Sequence, residues 1–166
     1  MNGKDVRMKL ETTASSHEVG TFEEYTVYSL ECSTPALLRM MERGKQVANC
    51  WPEVGAMVEA AGLCQEVAAM ASFQDTLDHV MHLGEVDGGM GAMWREMRGK
   101  LDRMMHSLEQ VLSLKESGAI KRIFSVELPD ALNGFVEVIP MVIQHVRENY
   151  MAEPCEATLA GAQKAG

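Results

Sequence analysis

The run from Met90 to Leu112 constrains this chain more than any other feature. Its apolar residues, Met90, Met93, Trp94, Met97, Leu101, Met104, Met105, Leu108, Val111 and Leu112, recur at steps of three and four, which is the period of an α-helix. At about 100° per residue they gather on one side of a cylinder, and Arg95, Glu96, Arg98, Lys100, Asp102, Arg103 and Glu109 fall outside the centre of that stripe. A helix divided in this way has to bury one face. The spacing therefore predicts a helix over 91–117 that acts as the central packing element of a larger fold.

The chain has the means to supply that fold. It holds 166 residues, 46% apolar and 23% charged, the composition of a folded globule and a length suited to one domain. With 24 acidic against 15 basic residues the formal charge is −9, and a negative field repels phosphate backbones and anionic lipid. Neither nucleic acid nor membrane is expected as a partner. Cys32, Cys50, Cys64 and Cys155 are unevenly spaced, with no C-x-x-C pair and no zinc-ligand spacing. Reduced thiols follow. No basic, apolar leader and no run of roughly 18 apolar residues is evident, so a cytoplasmic protein is expected.

Helical signals dominate the rest of the chain. Residues 1–20 are polar and without sustained period, and are expected to be flexible, as is the small-residue tail 151–166. Thr21 and Glu24 form a capping box, and helix is preferred over strand for 21–32 because no second strand is present to pair with it. Ser33-Thr34-Pro35 reads as a fresh helix start. Another start follows at Pro52, a possible break falls at Gly62, and Ser72 is placed to cap a short helix over 73–83. The glycines from Gly84 to Gly89 suit a reversal into an antiparallel hairpin. Ser117-Gly118 ends the central helix, and Leu128-Pro129-Asp130 reads as a break and restart. The last helix spans about 130–150, with a kink expected near 136–140, or a split into two helices, because of Pro140. The fold class is thus all-α: a compact bundle of four to six helices with short connections, forming one domain over 21–150.

Chemistry-bearing clusters are few. Asp75, Asp78, His79 and His82 make two Asp-x-x-x-His pairs and one His-x-x-His pair, a spacing that sets possible metal ligands on neighbouring turns. A helical wheel places them opposite Phe73, Leu77, Val80 and Met81, so a solvated polar face is the simpler account. His106 lies about 15 Å further along and cannot join them. Di-iron bundles use Glu-x-x-His, which does not occur here. The 14 methionines, against four Phe, two Trp and three Tyr, suit core packing or an adaptable surface, for which Met93, Trp94, Met97 and Met104 are the candidates. No haem-attachment motif, nucleophile elbow or P-loop is present, and no cofactor is expected.

These absences favour a small acidic adaptor, chaperone-like or regulatory protein over an enzyme. It would act by binding another protein or itself, with a homo-oligomer expected. The alternative is a metal- or cofactor-binding bundle, sensor or enzyme, centred on Asp75, His79 and His82. A histidine phosphotransfer bundle using His79 is the weaker alternative, because the Lys-Gly step such domains place after the histidine is here Met81-His82-Leu83-Gly84.

Overall fold

The computed structural model describes residues 20–114 and 116–151. Five α-helices are present among them: α1 (Phe22–Cys50), α2 (Val54–Met81), α3 (Gly89–Leu114), α4 (Ser117–Arg122) and α5 (Leu128–Tyr150). A 3₁₀ turn, Leu83–Glu85, joins α2 to α3, and a π-helical turn, Ile123–Glu127, joins α4 to α5. The described part is an all-α bundle with short connections. Apart from Gly20 and Met151, the segments expected to be flexible, 1–20 and 151–166, lie outside the described residues.

Local start signals were outvoted by burial in two places. α1 begins as the capping box requires, with the Thr21 hydroxyl accepting from the Glu24 amide and the Glu24 carboxylate accepting from the Thr21 amide. It then runs through Ser33-Thr34-Pro35 without restarting. The Ser33 hydroxyl turns back to the Ser29 carbonyl at 2.6 Å instead of capping a new helix, and Pro35 is exposed. Buried residues on both sides, Val27 and Leu30 before and Leu37 and Met40 after, keep one helical face continuous against the core. The same holds for α2, which passes Gly62 and Ser72 unbroken because Leu63, Val67, Leu77 and Met81 share one buried side.

The break expected at Leu128-Pro129 is a π turn. Proline cannot donate to the carbonyl four residues back, and its ring clashes there. Widening the helix by one residue at 123–127 sets Pro129 at the start of α5, where its missing amide costs nothing. The same widening buries Ile123, Phe124 and Leu128 together. α1 meets this turn at Gly44, where a Cβ would stand 2.8 Å from the Phe124 carbonyl oxygen and 3.0 Å from Leu128 Cδ2.

The centre of the bundle is α5 and not the helix over 91–117. α5 packs along both α1 and α3, and buries Leu128, Ala131, Leu132, Phe135, Val138, Ile139, Val142 and Val146. It is a single helix through Pro140, so the expected split does not occur. α3 contributes Trp94, Met97, Leu101, Met104 and Leu108 to the same core, with the Trp94 and Phe135 rings edge to face at 6.2 Å.

The turn between α2 and α3 demands a glycine for space. A Cβ on Gly91 would collide with the Val86 carbonyl, whereas one on Gly55, near the start of α2, would meet nothing within 4 Å. Gly91→Ala is expected to lower stability by about 1–3 kcal/mol through overpacking against backbone, and Gly55→Ala to raise it by about 0.5–1 kcal/mol. Urea unfolding of both variants measures the opposite signs.

Candidate functional site

The polar residues at the end of α2 are spent on holding the hairpin. Asp78 Oδ1 accepts from the Gly84 amide at 2.7 Å and from Trp94 Nε1 at 3.2 Å. Asp75 pairs with Arg98, which also donates to the Ala71 carbonyl at 3.2 Å and to Gln74 Oε1 at 3.0 Å. Arg95 closes the turn from the other side by donating to the Gly84 carbonyl at 2.7 Å. His82 takes the left-handed conformation that ends α2, at φ 51°, and its ring lies 3.7 Å from Glu85. His79 is exposed on the outer side of α2.

Asp75, Asp78, His79 and His82 therefore do not form one centre. Among the described residues no three His, Cys, Asp or Glu side chains come together as a metal site would need. The two carboxylates are occupied by guanidinium, indole and backbone donors instead. His106, exposed on α3, lies within hydrogen-bonding distance of Gln110, at 3.0 Å.

The residues put forward as an interaction surface are largely inside. Trp94, Met97 and Met104 are buried and Met93 is half-buried, so an adaptable outer face made from them is corrected to core. The reason is the bundle's geometry: α5 and the inner side of α2 occupy the two flanks of the α3 stripe, which leaves none of its centre to solvent.

What remains open is the outer face of α2. Val54, Met57 and Val58 are 78%, 45% and 68% exposed, and Ala61, Gln65, Ala68, Ala69 and Ser72 continue the same side in the open. No charged residue interrupts this stripe from Val54 to Ser72. The acids of this stretch, Glu59 and Glu66, sit at its edge, both bound by Arg43 of α1, with Glu66 at 2.7 and 2.8 Å. Both carboxylates push the Arg43 pKa above its usual value, Glu66 most. α2 also carries an 18-residue window of mean hydropathy 1.2, only 22% of it buried. By length and composition alone it could cross a membrane, which the absence of a long unbroken apolar run did not suggest. The sequence reading treated this stretch only as a helix with a break at Gly62 and did not single out the stripe. Its signal was the steps from Val54 to Val58, Ala61, Gln65, Ala68 and Ser72, all uncharged.

The inner side of α2 offers less. Its closest backbone packing is with α1. Against α3 and the π turn it leaves an apolar cavity lined by residues such as Leu63, Cys64, Val67, Met104, Leu108 and Phe124. Its free volume, about 10 Å³, is at the threshold for one water and its lining offers no polar partner. Burial there pushes the Cys64 thiol pKa up.

No family model, curated protein or solved structure matches the chain.

Two outcomes test these assignments. Asp78→Ala strands the Trp94 and Gly84 donors and is expected to cost about 1–3 kcal/mol, read as a lower melting temperature in metal-free buffer; an unchanged melt would show that the carboxylate does not hold the hairpin. In a Cys155→Ser background near pH 8, where a raised pKa means less thiolate, a disulfide reagent is expected to label exposed Cys32 and Cys50 about tenfold or more faster than Cys64.

Proposed function

We infer that the protein is an interaction module, an adaptor or regulatory bundle that docks a helix of another protein chain along the outer face of α2. The observation that carries this reading is the uncharged, exposed stripe from Val54 to Ser72. Solvent-facing sides of bundle helices are ordinarily polar and charged, and a contiguous apolar face rimmed by polar groups marks a binding surface. Here the rim is Glu59 and Glu66 with Arg43 on one side and Asp75 with Arg98 near the far end. Helix-in-groove recognition uses such i, i+3, i+4, i+7 anchors.

A lipid surface fits this face less well. Interfacial helices carry Lys and Arg on their polar side, and α2 has neither from Val54 to Met81. Its flanking charges are the carboxylates Glu59, Glu66, Asp75 and Asp78, in a chain whose formal charge is −9. Spanning a bilayer would carry Glu59 and Glu66, or Asp75 and Asp78, away from their partners on α1 and α3. The metal reading rests on residue spacing only, since the structure engages Asp75 and Asp78 elsewhere.

A photo-crosslinking residue at Val58, in cells that make the protein, is expected to capture protein, whereas the same residue at exposed Glu109 of α3 is not. Adducts to lipid alone, or equal labelling at both positions, would overturn the docking reading.

A further inference from the structure

We propose that the occupant of the outer face of α2 is the same face of a second copy, packed antiparallel about a two-fold axis that passes between Ala61 and Gln65. This inference rests on the docking reading and names the partner.

Three features of the stripe point to it. The first is spacing: Val54, Val58, Ala61, Gln65, Ala68 and Ser72 advance by four, three, four, three and four, the seam of a two-helix coil. The second is charge. A chain of formal charge −9 repels its own copies, yet this seam sets no charge against itself from Val54 to Ser72. At its edge Glu59 and Glu66 are already compensated in part by Arg43.

The third feature is size, and it selects the direction. The bulky residues, Val54, Met57 and Val58, stand at the N-terminal end; the small ones, Ala68, Ala69 and Ser72, lie towards the C-terminal end, with Ala61 and Gln65 flanking the centre. Antiparallel pairing about the stated axis sets Val58 opposite Ala68 and Val54 opposite Ser72, with Ala61 opposite Gln65. Large then meets small along the whole seam, and two helices with such contacts approach to about 8 Å. A parallel pair would instead stack valine on valine at one end and leave a gap between alanines at the other. A two-fold contact of this kind is self-complementary and closes at two copies.

The area is adequate and no more. The stripe runs roughly 27 Å along the helix axis, and two such faces bury on the order of 1,000 Å², the lower bound for a specific interface. The expected species is a reversible dimer that dissociates on dilution. It requires no movement of the bundle, because each residue of the seam is already exposed.

Sedimentation velocity on the full chain over a wide concentration range tests the proposal. The native sequence is expected to shift from monomer to dimer. Val58→Glu and Ala68→Lys, each at an exposed position, are expected to weaken association by about tenfold or more, with circular dichroism and melting temperature unchanged. The double variant V58E/A68K is decisive: antiparallel pairing sets each new carboxylate opposite a new ammonium, so the dimer is expected to return, whereas parallel pairing would oppose like charges twice. A native chain that stays monomeric, a dimer untouched by Val58→Glu, or a double variant that remains monomeric overturns the proposal. A monomeric chain whose residue 58 still crosslinks to a different protein leaves the docking reading standing and removes only the second copy. A monomer without protein adducts removes both.

Discussion

The fold turns on how the Trp94 indole is buried. It is the largest side chain wholly inside the protein, and it carries a donor that has to be satisfied where it lies. Asp78 supplies the acceptor from α2 and serves the Gly84 amide with the same oxygen. One carboxylate thereby sets the level of α2 against α3 and the path of the turn between them. Phe135 closes on the indole edge from α5, so the same ring joins three of the four long helices. The Arg98 contacts with Ala71, Gln74 and Asp75 repeat the alignment about one turn further from the hairpin.

That arrangement explains why α2 is an unusual helix. It is held at its far end by Asp78, Arg98 and the Tyr150 hydroxyl, which donates to the Met81 carbonyl at 3.0 Å, and at its near end by Arg43. Its acids are consumed at these edges, and the middle of its outer side is left with Val, Met, Ala, Gln and Ser. A helix that presents an apolar inner face to the core and an uncharged outer face to solvent is neither a plain surface helix nor a buried one. The outer partner we propose would resolve that mismatch, and the seven-residue spacing is what suggests its helical shape.

Much of the fold was legible in the residues. The α3 stripe, the capping box at Thr21, the glycine reversal after Met81 and the preference for helix over strand at 21–32 all rest on local chemistry, and each has its counterpart among the described residues. The errors share one cause. Ser33-Thr34-Pro35 and Ser72 are sound local signals for starting a helix, yet continuous burial on both sides kept the chain helical there and, in place of a split, through Pro140, while at Leu128-Pro129 a π turn with a buried side carries the chain into α5. An unused cap costs about 0.5–2 kcal/mol and a proline inside a helix about 3 kcal/mol or more, which several buried side chains together exceed. The candidate site was less legible. Asp75, Asp78, His79 and His82 have metal-like spacing along α2, but which donors would face them from α3 and the turn is not written in that spacing. The exposed stripe on α2 was visible as composition and hidden as a face, because helical period reports two sides without saying which one the bundle covers.

The sequence by itself determined that the described part of this chain is helical, that a pronounced amphipathic stripe lies along α3, and that its glycines open a hairpin after α2. These follow from period, capping and backbone freedom, all of which act within a few residues. Only the tertiary structure decided that α5 is the centre, that Trp94, Met97 and Met104 are core, that Asp78 is a hairpin pin, and that the outer face of α2 is left uncovered. Burial is a property of what other elements pack against a residue, and the order of residues along one helix does not contain it.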